Sequence, residues 1–199
     1  MTNTINRVKG LIVSPKTEWD KIATEQPQPV SLATTYALPL LLIGTIACFI
    51  SFGVIGLHGF RSINFGFRFG LMHALSTGLA MAATAFGIDM LAPSFQSQKN
   101  MVSSTQLAVY SFTPLLIVSV LYIIPSDTIR LLVKIAGFYG LYLMYEGFPK
   151  LKTVPEDKKM TYMFASIGIA VGSYAILDLI IYEILKPTLS DIISAYIPG

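Results

Sequence analysis

"MYEGFPKLKTVPEDKKMTYM", residues 144–163, joins two long apolar runs. Glu146 closes the first run, and Gly147 and Pro149 follow at once. Lys150, Lys152, Lys158 and Lys159 then flank Pro155, Glu156 and Asp157. Glycine and proline end helices, lysines suit an anionic headgroup layer, and carboxylates favour the positive end of the helix that follows. The stretch therefore predicts a turn between two helices at a membrane surface, with Gly147 and Pro149 stopping the first.

The rest of the chain has the same character. Of 199 residues, 53% are hydrophobic and 13% charged, about half the charge of an ordinary soluble domain. The net charge of +3 forms no basic stripe with interleaved aromatics, which argues against a nucleic-acid partner. Cys48 is the single cysteine, so neither an intrachain disulfide nor a Cys-rich metal site is expected. The first 29 residues lack a short apolar core with a cleavage site, so the first apolar segment is expected to insert and stay.

Five runs are long enough to cross about 30 Å of hydrocarbon: roughly 30–53, 71–91, 105–124, 129–148 and 162–185. None alternates like a membrane strand, so all are expected to be helical. Pro39 and Pro114 predict kinks in spans one and three. Ahead of span one, Ile5, Val8 and Ile12 recur at helical spacing. Ser14-Pro15 then opens a second short helix carrying Trp19 and Ile22. Both helices are expected to lie in the interface, with Trp19 at headgroup depth. The predicted fold is all-α membrane: a five-helix transmembrane bundle over 30–185, interfacial amphipathic helices over 1–29 and a short outer tail over 186–199.

The Lys/Arg distribution sets the orientation. With the N-terminus inside, the inner side holds Arg7, Lys9, Lys16, Lys21, Lys99, Lys150, Lys152, Lys158 and Lys159. The outer side holds Arg61, Arg68, Arg130, Lys134 and Lys186. Nine against five favours a cytoplasmic N-terminus and an outside C-terminus.

Two patches carry a resemblance: Tyr145-Glu146-Gly147-Phe148-Pro149-Lys150-Leu151 running on through Val154 to Lys158, and Gln106 through Pro114. A third, Ser14-Pro15 to Trp19 and Ile22, is weaker. In these and in its layout the chain resembles prokaryotic members of the Yip1 family of five-span membrane proteins. The resemblance implies a cytoplasmic N-terminus. Eukaryotic relatives act with Rab-type GTPases in early secretory membranes, largely as non-catalytic adaptors with a long cytosolic N-terminal region. With about 29 residues ahead of span one, GTPase binding is not expected here, and a bacterial inner membrane is.

Ionisable residues inside spans are costly and mark candidate sites. Asp89 in span two and Glu146 in span four sit at one depth near the inner surface. They either cap and snorkel separately, or converge to bind a proton, a cation or a basic partner segment. Lys134 and Asp178 each lie about 10 Å from the outer boundary and are expected to form a buried ion pair. Small-residue stripes, Ala74-Gly78-Ala82-Ala85-Asp89 and Ala165-Gly168-Gly172-Ala175-Asp178, are expected to let helices approach closely and to turn both aspartates into the bundle.

His73 and Tyr110 are the candidate polar neighbours. His73 has no H-E-x-x-H spacing and reads as a neutral, hydrogen-bonded packing residue. "GFRSINFGFRFG", residues 59–70, lacks the strand-then-helix setting of a phosphate loop and reads as an aromatic belt. Without a nucleophile elbow or a GK[ST] loop, neither an enzyme nor a cofactor is expected. The leading expectation is a non-enzymatic membrane organiser or adaptor, its partners the bilayer and other membrane proteins or a second copy. The competing one is a small proton- or ion-linked carrier or channel using Asp89 and Glu146.

Overall fold

A computed structural model describes residues 4–56 and 62–188; their regular structure is all helical, with no strand among them. Arg61 and most of the outer tail, 189–199, lie outside the described residues.

Helices α1 (Thr4–Val13) and α2 (Pro15–Ala23) form a hairpin. Pro15 occupies the start of α2, where its missing N–H costs nothing. The first long rod, Pro29–Ile55, comprises α3 (Pro29–Leu32), a π turn (Ala33–Ala37), α4 (Leu38–Ile50) and a second π turn (Ser51–Ile55). The first wide turn ends just before Pro39 and lets the hydrogen-bond ladder skip the N–H that proline lacks. Helix α5 (Ile63–Leu91) runs back and ends in a 3-10 turn, Ala92–Phe95.

Asn100 then starts α6 (Met101–Ser111), its side chain accepting the Ser103 N–H at 3.1 Å, an ordinary N-cap. Phe112 interrupts the rod ahead of α7 (Thr113–Val118), which carries Pro114 in its first turn, and a 3-10 turn (Ser119–Ile123) completes it. Both proline-bearing rods thus depart from regular α geometry near the proline. Helices α8 (Asp127–Leu151) and α9 (Glu156–Leu185) follow. The rods alternate in direction. One end of the bundle, here the near end, gathers α1, α2, residues 92–100 and residues 152–155. The far end gathers the starts of α5 and α8.

Helix α5 is the axis, packed against α4, α6 and α9, whereas α8 leans on α6, α7 and α2 and touches α9 only lightly. At the far end Gly53 and Gly66 let α4 and α5 approach closely: a Cβ on Gly66 would lie 2.6 Å from the Phe49 carbonyl oxygen. The bundle buries many polar side chains and exposes many large apolar ones. Ser76, Thr77, Thr84, Ser104, Gln106, Thr113, Ser119 and Ser166 are buried, while Ile43, Ile46, Leu79, Phe86, Leu131, Phe138, Ile176 and Leu179 are exposed. Such continuous apolar exteriors are not tolerated in water, and the chain is a multi-pass membrane protein.

Among the described residues four rods are long and apolar enough to cross a membrane: Pro29–Ile55, Ile63–Phe95, Met101–Ile123 and Glu156–Leu185. Helix α8 has sufficient length, 25 residues, but Arg130, Lys134, Glu146 and Lys150 dilute its apolar character. Several expectations need correction. Gly147 and Pro149 do not stop α8. The helix runs through both to Leu151, because a proline in the last turn forfeits only one backbone bond. In α1 the buried face carries Arg7 and Leu11, and Ile5 and Ile12 are exposed. The α9 stripe does not serve close approach either: a Cβ on Gly168 or Gly172 would meet nothing within 4 Å. The residues of α9 that are buried are Tyr162, Met163, Ser166, Ala170 and Ile181.

Candidate functional site

The near end holds the densest polar construction, and α1–α2 form its lid. Arg7 is 3% exposed. Its Nη1 donates to Glu18 Oε1 at 2.7 Å, its Nη2 to the Glu25 carboxylate, and its guanidinium lies 5.4 Å from the Tyr110 ring centroid. Burial alone would pull the Arg7 pKa down. The bond to Glu25 and the negative groups around it outweigh that and hold the value above the ordinary arginine range. Charges this deep are tolerated only when paired and hydrogen-bonded, so Arg7, Glu18 and Glu25 fix α1 against α2 and its C-terminal extension.

The floor of the seat comes from the patches that carry the family resemblance. Gln106 Nε2 donates to the Ile22 and Glu25 carbonyls at 3.1 and 3.2 Å. Trp19 stands edge-on to Tyr110, centroids 6.1 Å apart, and Tyr110 edge-on to Tyr36 at 5.0 Å. The Tyr36 hydroxyl pairs with Thr113 Oγ1 at 2.9 Å. From α8, Lys150 Nζ reaches Asp20 Oδ1 at 2.6 Å, and the Tyr139 hydroxyl donates to the Ile12 carbonyl at 3.0 Å. Trp19 is 0% exposed and its indole occupies the space left by the absent side chain of Gly147. Its neighbours are protein atoms, so Trp19 anchors α2 to α8.

Asp89 and Glu146 end up with different partners. Asp89 Oδ1 lies 3.3 Å from Ser104 Oγ, which in turn accepts from Lys152 Nζ at 2.6 Å. Burial drags the Lys152 ammonium down to about 8, against the attraction of Asp89. Beside this cluster the Tyr162 hydroxyl donates to the Ile88 carbonyl at 2.5 Å. Glu146 has instead Lys16 of α2, 3.9 Å away and well exposed. The two acids have neither a partner nor a bond in common. In the connection that follows, Pro155 caps α9, and Glu156 and Asp157 stand exposed in its first turn. Glu156 pairs with Lys159 at 3.1 Å, and the Lys158 N–H bonds the Pro155 carbonyl at 3.0 Å.

At the far end Lys134 Nζ is 3.3 Å from Asp178 Oδ2. The pair is not enclosed by the chain: the side chains are 54% and 35% exposed, because α8 and α9 diverge there. His73 is buried, with its ring edge-on to Tyr122 at 5.4 Å. Its Nε2 has no hydrogen-bond partner among the described residues.

Arg7, Glu18, Gln106, Ser104 and Lys152 are the working residues that sequence reading passed over. Arg7 and Glu18 look like surface charges until two helices fold face to face. Lys152 is indistinguishable by composition from the headgroup lysines beside it. Only Gln106 left a signal, as the one side-chain amide between Met101 and Ile123.

A family model described as Yip1 domain matches residues 9–178. No curated protein and no solved structure matches the chain.

Proposed function

This chain belongs to the Yip1 family, whose domain covers most of its length, and on that premise we propose that it is a non-enzymatic membrane organiser or adaptor built on five spans. The Yip1 family is not a known enzyme family. In this reading α8 is the remaining span, its 25 residues covering about 37 Å at 1.5 Å each. The Lys/Arg bias favours a near end in the cytosol and a C-terminus outside, and in this reading the membrane is a bacterial inner membrane.

The observation that carries the proposal is the convergence of all three resemblance patches on one feature. Trp19 and Ile22, Gln106 and Tyr110, and Gly147 and Lys150 together seat the α1–α2 hairpin. Much of the near-end charge is consumed in holding that hairpin. A rigid platform that presents Lys16, Thr17 and Lys21 outward suits contact with a partner protein or with anionic lipid better than passage of an ion. The carrier reading needs Asp89 and Glu146 to work together, and their separate partners weaken its case.

The test pairs two assays. Photo-crosslinkers at position 17 of the membrane-embedded protein should give discrete protein adducts in cells, and lose them when Trp19→Ala unseats the hairpin. Proteoliposomes should show no proton or cation flux beyond empty vesicles. Flux abolished by Asp89→Asn would reject the organiser and restore the carrier.

A further inference from the structure

Two cavities meet at Lys134 and Tyr174. The far-end one, about 210 Å³, is lined by Arg130, Asp178 and a wall of aromatic side chains. The other, about 180 Å³, continues along α8 past Gly137 and Leu141 to Met144 and is almost wholly apolar. Lys134 and Tyr174 line both. The two together form a slot that is charged at the membrane-surface end and greasy toward the middle, on the side where α8 and α9 part.

Hydrogen bonding at the charged end is incomplete. Arg130 stacks its guanidinium 4.3 Å from the centroid of the Phe52 ring and spends Nη1 on Asp127 at 3.2 Å. Its Nη2 is buried with no hydrogen-bond partner among the described residues. Lys134 is already opposed by Asp178, so the unmet donor belongs to Arg130. Buried donors of this kind are costly and call for an acceptor, and guanidinium geometry suits phosphate oxygens. Arg130 stands four residues past Ser126, about 6 Å along the helix, at headgroup depth. Ten residues separate Lys134 from Met144, about 15 Å of groove.

We infer that this slot holds one glycerophospholipid of the far-end leaflet, its phosphodiester on Arg130 with Lys134 behind it, and one acyl chain laid along Gly137, Leu141 and Met144. The inference stands apart from the organiser reading and does not depend on which end faces the cytosol.

The test uses the full-length protein in vesicles of phosphatidylethanolamine and phosphatidylglycerol, doped with a phospholipid bearing a diazirine in mid-acyl chain. After illumination, adducts should concentrate on residues 137–144. Gly137→Phe fills the groove, where an added Cβ meets only Leu115 Cδ1 at 3.9 Å, and should cut the yield at least fivefold without changing the melting profile. Arg130→Gln should cut it similarly, yet leave labelling by a phosphate-free diazirine alcohol intact. Adducts spread evenly over exposed faces such as Leu79 and Phe86 would overturn the inference. So would wild-type labelling in Gly137→Phe, or equal loss of both probes in Arg130→Gln.

Discussion

Trp19 fills the volume that Gly147 leaves vacant: a Cβ at position 147 would stand 2.5 Å from the indole Cε2. One residue thus ties an N-terminal helix outside the spans to the middle of the signature patch on α8. The contact makes α1 and α2 part of the bundle rather than an appendage floating beside it.

Gly147→Ala should therefore push α2 off its seat, at about 1–3 kcal/mol for overpacking a tight contact. Trp19 is the single tryptophan, so its fluorescence reports on this seat directly. The variant in detergent should show red-shifted emission and a lower unfolding midpoint. Emission unchanged from the parent would mean that the hairpin is held elsewhere.

Arg7→Met should be more damaging than its surface-like sequence suggests. It leaves Glu18, 4% exposed, with only the largely exposed Lys21 at 3.0 Å for a cation, a loss approaching the roughly 3–5 kcal/mol of a broken buried pair. Arg7→Met combined with Glu18→Met should recover much of the loss, because a buried pair replaced by apolar groups is often neutral. Denaturant midpoints of the two variants check this, and equal destabilisation by both would contradict a mutually dependent pair.

Lys152 makes stability depend on pH. Its folded pKa of about 8 lies below its ordinary 10.5, so between those values the unfolded chain binds more protons than the folded one. Stability must then rise with pH across that window, as the buried ammonium is relieved of its charge. Lys152→Gln should remove this component, so the wild-type-minus-variant difference in unfolding midpoint should climb from pH 8 to 10.5. A flat difference would place the Lys152 side chain in solvent, away from Ser104 and Asp89.

Most of the helical framework could be read from apolar run lengths, because hydrocarbon thickness dictates them. The prolines at 39 and 114 likewise marked where the rods deviate. The faces were harder. Ile5 and Ile12 suggested the buried side of α1, yet Arg7 and Leu11 face inward, since a guanidinium with two carboxylates and an aromatic ring is satisfied where a lone one is not. Gly168 and Gly172 suggested contact and instead border open space, because small residues permit approach without compelling it. Asp89 and Glu146 fall at matching positions along their apolar runs, but such a match says nothing of azimuth. Their partners, Ser104 with Lys152 and Lys16 respectively, come from elements that only tertiary packing brings near.

The seating of α1–α2 and the crossing of α9 can be tested together by thiol accessibility. In a Cys48→Ser background, single cysteines at positions 17, 153 and 188 are labelled in intact cells and in inverted vesicles with a membrane-impermeant maleimide. Positions 17 and 153 should react from one face and 188 from the other. Labelling of 17 and 153 from opposite faces, or of 153 and 188 from the same face, would contradict the architecture described for this chain.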